Sequence, residues 1–205
     1  MADLDLDNLT ALTLWPEWSW AIDLPGHRAK RVENRGWAPP DRLVGRDAPW
    51  LALHAGAHIG GRAGAPATWE GLEGVRTMAR LAGINVHLDY DMKTRGCWSI
   101  RAHSEVDEAP VFARGPTYDG DPVGPDAVER PIVTRAIIGL FRVTELVRPG
   151  RTLPRPGVSG WKVPEAWGWV FDYVPLTEPV PCQGAQGLWV VGADTAAQVR
   201  ERVAA

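Results

Sequence analysis

Apolar residues come in short runs whose period changes from one segment to the next. Residues 11–14 run into Pro16, whose fixed φ suits the first turn of a helix, so a strand leading into a helix is predicted. Trp18, Ala21 and Ile22 then recur at i, i+3 and i+4 and define one apolar helix face, which Pro25-Gly26 closes. By that spacing Trp18 packs inward, and Trp20 or Trp15 is the ring left outward. Residues 32–37 read as extended and 38–41 as a turn. The unbroken run Trp50, Leu51, Ala52, Leu53 predicts a strand over 49–55 that is buried on both faces. Residues 68–81 keep helical spacing through Leu72, Val75, Met78 and Ala79, with Thr68 as N-cap.

Residues 106–131 are rich in Pro, Gly and Asp and hold no period, which predicts a long surface excursion. Order returns over 132–147, with a central strand at 136–141. Residues 167–174 alternate most clearly and place Trp167, Trp169, Phe171 and Tyr173 on one face. A last strand is expected at 188–191 and a closing helix at 195–203. Many short strands with few helices predict an α+β, mainly β, fold: a small β-barrel with flanking helices. Its 205 residues suit one domain, 1–205, carrying a loop-rich insertion at about 84–131.

Composition changes this picture in two ways. Eleven of the aromatic residues are Trp, against three Tyr and three Phe, and several stand beside Pro, Gly or charge, where a ring can serve a pocket as well as a core. The formal net charge of −3 argues against a protein that coats DNA, so a nucleic-acid partner would be met by a local patch or as a single base. Cys97 and Cys182 have no metal-like spacing and fit a reducing compartment. The acidic start, Met1 to Asp7, lacks the charge and apolar run of a signal peptide, and no membrane span is visible. A cytoplasmic protein without membrane contact is expected.

Five islands carry a family resemblance: Leu12-Thr13-Leu14 with Pro16-x-Trp18-x-Trp20-Ala21-Ile22; Lys30-x-x-Glu33-Asn34-Arg35; Leu53-His54-Ala55-Gly56; Trp167-Gly168-Trp169-Val170-Phe171-Asp172; and Pro179 to Trp189. In this order they resemble the ASCH (activating signal cointegrator homology) domain of the PUA-like superfamily. The resemblance spans roughly residues 11–192, skipping most of 60–131. It implies a closed or nearly closed barrel whose cleft lies between the first helix and the Lys30 to Arg35 segment. It also implies binding of single-stranded RNA or of a modified or unmodified nucleoside, and in some members hydrolysis.

Within that cleft Lys30 and Glu33 form a candidate acid–base pair for a ribonuclease-like or amide hydrolase. Positions i and i+3 project to opposite faces of a strand, so the two converge only if Lys30 sits on the preceding turn or a bulge shifts the register. Otherwise Lys30 is solvated and Glu33 pairs with Arg35. In a bacterial relative that hydrolyses acetylated cytidine a threonine nucleophile stands where Glu33 stands here; a glutamate implies a base-activated water instead. Asn34 offers an amide for a base edge, and Arg35 a guanidinium that stacks or grips phosphate. The structural alternatives are an Asn34 that bonds the backbone of a tight turn near Gly36 and an Arg35 that locks Glu33.

Trp15, Trp20, His54, Gln186 and Trp189 complete the candidate ligand-binding set. His54 and His58 have the spacing of a metal-binding helix, but the glycines around them oppose one, and His87-x-Asp89-x-Asp91 lacks further ligands, so no metal is expected. Gly184-x-x-Gly187 is too short for a dinucleotide fingerprint and no cofactor is expected. Binding is the leading expectation, a small hydrolase the alternative, and a protein-interaction domain with a vestigial cleft the third.

Overall fold

The computed structural model describes residues 8–23, 29–57, 84–91, 97–104, 111–114, 128–129 and 133–203. Ten strands and two helices lie among them. In chain order they are β1 (Thr10–Leu14), α1 (Pro16–Asp23), β2 (Val32–Arg35), β3 (Leu51–Ala55), β4 (Ile84–Asp91), β5 (Cys97–Ser104), β6 (Val111–Arg114), β7 (Val128–Glu129), β8 (Ala136–Val147), β9 (Trp167–Pro181), β10 (Leu188–Val190) and α2 (Ala193–Arg202). The helix predicted at 68–81 lies outside the described residues.

Six strands form one sheet in the order β10-β1-β3-β8-β9-β2, antiparallel throughout except for the β1–β3 pair. The sheet curls into a half-barrel with β10 and β2 at its two ends. This is a mainly β fold of the small-barrel class. Its curvature has a local cause in the long β8–β9 hairpin, where the register slips between Ile137 and Gly139 and again between Val143 and Glu145. Bulges of this kind bend and twist a strand.

Both faces of the sheet are buried. Leu12, Leu14, Leu51, Leu53, Phe141, Trp169 and Phe171 fill the concave cluster, with Trp167 and Tyr173 packed against it, as the alternation over 167–174 predicts. The opposite cluster gathers Ala11, Ala52, Ile137, Leu140, Leu176 and Val180 with Ala196 and Val199 of α2. β9 serves both clusters because its odd residues point one way and its even residues the other. β3 lies between the clusters and all five of its residues are buried, which explains its unbroken apolar run.

Gly139 has a packing reason, since a Cβ there would collide with the Tyr173 ring. That ring's hydroxyl donates to Asp23 Oδ1 at 3.0 Å and so fastens the end of α1 over the hairpin.

The segment expected to be loop-rich holds a second sheet, in the order β4-β5-β6-β7. β4 and β5 pair over eight residues as a hairpin, and the short β6 and β7 fall inside 106–131. Their own residues show no period because four and two residues are too few; β6 is ordered by pairing with β5 and β7 by pairing with β6.

Candidate functional site

Lys30 lies outside β2, in the irregular chain before it, where its N–H donates to Ala21 O at 3.0 Å, and this removes the parity conflict between positions 30 and 33. Its ammonium donates to Glu33 Oε2 at 2.7 Å. Lys30 is only 2% exposed and Glu33 8%, so the solvated Lys30 of the alternative reading is replaced by a buried ion pair. Burial pushes the Lys30 ammonium below its ordinary value, and the Glu33 carboxylate acts against that shift. The Trp18 ring adds a second electron-rich surface, with its centroid 5.8 Å from Lys30 Nζ.

Glu33 and Arg35 share a face of β2, as their i, i+2 spacing dictates. Arg35 Nε stands 3.1 Å from Glu33 Oε1 but is not aligned for a hydrogen bond, so that contact is electrostatic. Its Nη2 donates instead to Thr13 O at 3.2 Å. Because β1 and β2 are not neighbours in the sheet, this bond spans the concave side.

Around these groups lies a cleft of about 630 Å³, lined by Thr13, Trp15, Trp18, Glu33, Arg35, His54, Arg135 and the backbone turn 183–187. Trp15, between β1 and α1, is 50% exposed. It is the ring with the most surface to offer a ligand.

Thr13 organises the far wall. Its hydroxyl donates to Ala185 O at 2.6 Å, receives the Trp189 indole N–H at 3.0 Å and lies 3.1 Å from His54 Nδ1. The Thr13 hydroxyl has one proton for Ala185 O and His54 Nδ1, and His54 Nε2 faces Cys182 O at 3.4 Å, so either tautomer of the neutral ring leaves one of these three contacts without a proton. Thr13 is saturated by its partners and positions its neighbours. Burial pushes the His54 imidazole below its ordinary value, against the opposing pull of the Cys182 carbonyl. Gly184 must be glycine for the His54 ring to lie flat on the turn, since any Cβ there would strike it.

Of the predicted residues, Trp15, Glu33, Arg35, His54 and Gln186 line the cleft, and Lys30 lies directly behind Glu33. Trp20 does not reach it: the ring is 3% exposed in the core, and Trp18 takes the position at the cleft. α1 is buried nearly all round, so its apolar stripe does not mark the side that faces inward. Trp189 stands behind the wall, edge-on to His54 and bonded to Thr13.

Asn34 points to the other face of β2, donating to Trp161 O at 2.8 Å and accepting from Val163 N–H at 2.9 Å. It clamps the 161–163 turn, as the tight-turn alternative proposed in kind though at a different turn. Asn34→Ala is expected to lower stability by about 1–3 kcal/mol by orphaning the Val163 amide. Urea unfolding should show that loss while RNA affinity stays within about twofold of wild type; a lost affinity at unchanged stability would return Asn34 to the cleft.

Besides Trp18, Arg135 and Thr13 are among the lining residues that the sequence does not single out. Neither stands out by type, and only the placement of β8 beside β3 brings Arg135 to the cleft. Among the described residues no group of three His, Cys, Asp or Glu is placed to hold a metal ion, and no helix is long and apolar enough to cross a membrane. Compared with known proteins, the chain matches no protein-family model and no curated protein.

Proposed function

We propose that this cleft binds single-stranded RNA, or a single modified or unmodified nucleoside, on a PUA-like barrel of the ASCH type. The observation that carries the reading is the half-exposed Trp15 ring beside Trp18, in one cleft with the Glu33 carboxylate and the Arg35 guanidinium. Rings of this kind stack any base, and a carboxylate with a guanidinium offers both an acceptor and donors to a base edge. Binding is favoured over hydrolysis because Lys30 Nζ is spent on Glu33 and does not line the cleft.

Anisotropy titration of a short labelled single-stranded RNA tests the reading. Trp15→Ala and Arg35→Ala should each weaken binding by about 1–3 kcal/mol. Trp15→Ala should leave the fold intact, because the ring is half in water. Chromatography of the same RNA, and of an acylated nucleoside, after incubation should show no product; a product would favour the hydrolase. If wild type binds neither RNA nor nucleosides and cleaves neither, the interaction-domain reading replaces both.

A further inference from the structure

Arg135 carries a backbone φ of 53°, in the left-handed region that residues with a Cβ seldom occupy. Two backbone hydrogen bonds impose it: its N–H donates to Gly56 O at 3.1 Å, and its carbonyl accepts from Cys182 N–H at 3.0 Å. The position therefore joins the end of β3 to the end of β9 and places the exposed Arg135 in the lining of the cleft. Strain of this sort persists where the surroundings over-determine it, and it gathers at sites that hold ligands.

The charges of the cleft do not cancel. Lys30 and Arg35 both lean on Glu33, the one carboxylate of the lining, whereas Arg135 has no acidic partner among the described residues. Among the described lining residues Arg35 and Arg135 stand against the single carboxylate of Glu33, which Arg35 and the Lys30 behind it already engage, so one positive charge is left unmatched in a partly enclosed space. A guanidinium presents paired N–H donors whose geometry fits a phosphate. The volume of about 630 Å³ has room for a ring on Trp15 and an anionic group beyond it.

Resting on the binding role argued above, we propose that Arg135 grips the phosphate of a nucleotide whose base lies on Trp15 and Trp18, so that the cleft selects phosphorylated over unphosphorylated nucleosides. The phosphate belongs either to a free nucleotide or to the chain of an RNA.

Tryptophan-fluorescence titrations with cytidine, cytidine 5′-monophosphate and a short single-stranded RNA, run on wild type, Arg135→Gln and Arg135→Gly, test this. Arg135→Gly also relieves the backbone, so a loss of binding there is not a loss of fold. Wild type should bind the monophosphate at least about tenfold more tightly than the nucleoside, and both variants should erase that gap while binding the nucleoside unchanged. If the gap is absent but both variants weaken the RNA about tenfold or more, the phosphate gripped is one within the chain: the grip by Arg135 stands and the selection among free nucleosides and nucleotides is overturned. Cytidine and RNA bound equally by all three proteins, with no gap, would overturn the role of Arg135 and leave the binding reading intact. Failure of all three probes to bind wild type would overturn both.

Discussion

Glu33→Gln is expected to destabilise the protein by about 3–5 kcal/mol, because it strips the counter-charge from a buried ammonium. Lys30 is 2% exposed and donates to Glu33 at 2.7 Å, so the amide left behind keeps the shape but not the charge. Desolvation already lowers the Lys30 pKa, and Glu33 is what opposes it. In the variant the folded protein should therefore hold this proton less well than the unfolded chain. Where the unfolded state binds more protons stability rises with pH, so the defect should shrink as pH climbs toward 10.5, the ordinary lysine value. Lys30→Met combined with Glu33→Gln should recover most of the loss, because two neutral side chains replace a broken pair. Urea unfolding at several pH values reads all three effects. A loss below about 1 kcal/mol would mean that the pair is hydrated and contributes as surface pairs do.

Trp169→Ala should cost about 3–5 kcal/mol, the range for removing a large ring from a packed core. The ring is fully buried, meets Trp37 edge-on at 4.8 Å and donates its indole N–H to Trp37 O at 3.2 Å. It also sits opposite Glu33 in the β2–β9 ladder, so the same deletion loosens the floor beneath the ion pair. Trp169→Phe keeps most of the ring and should cost clearly less while preserving RNA binding. Equal losses for the two variants would place the energy in the indole hydrogen bond and not in the packing.

What the sequence reveals of this molecule follows from how local each feature is. β3 is buried on both faces and β1 and the first half of β9 nearly so, and their apolar runs of Leu and Ala, and of Trp, Val and Phe in β9, say so. The convergence of Lys30 and Glu33 was legible as a condition, since parity demanded a turn before β2 or a bulge within it, and Lys30 lies outside the strand, which begins at Val32. Trp18 and Trp20 exchange roles because an eight-residue helix covered on most sides has no single inward face to read. Asn34 is held by a turn at 161–163 and Arg135 by Gly56 and Cys182, partners distant in sequence that no spacing rule can supply. β6 takes its order from pairing with β5, and β7 from pairing with β6, which strands of four and two residues cannot announce alone.

The central claim is that a base lies on Trp15 and Trp18, and the indole N–H signals of the eleven tryptophans report it most directly. With each signal assigned by single Trp→Phe replacements, the spectrum is recorded while a short single-stranded RNA is added. The account predicts saturable shifts of the Trp15 and Trp18 signals, with those of the fully buried Trp161 and Trp169 unmoved. Saturable binding that leaves Trp15 and Trp18 where they were would contradict it.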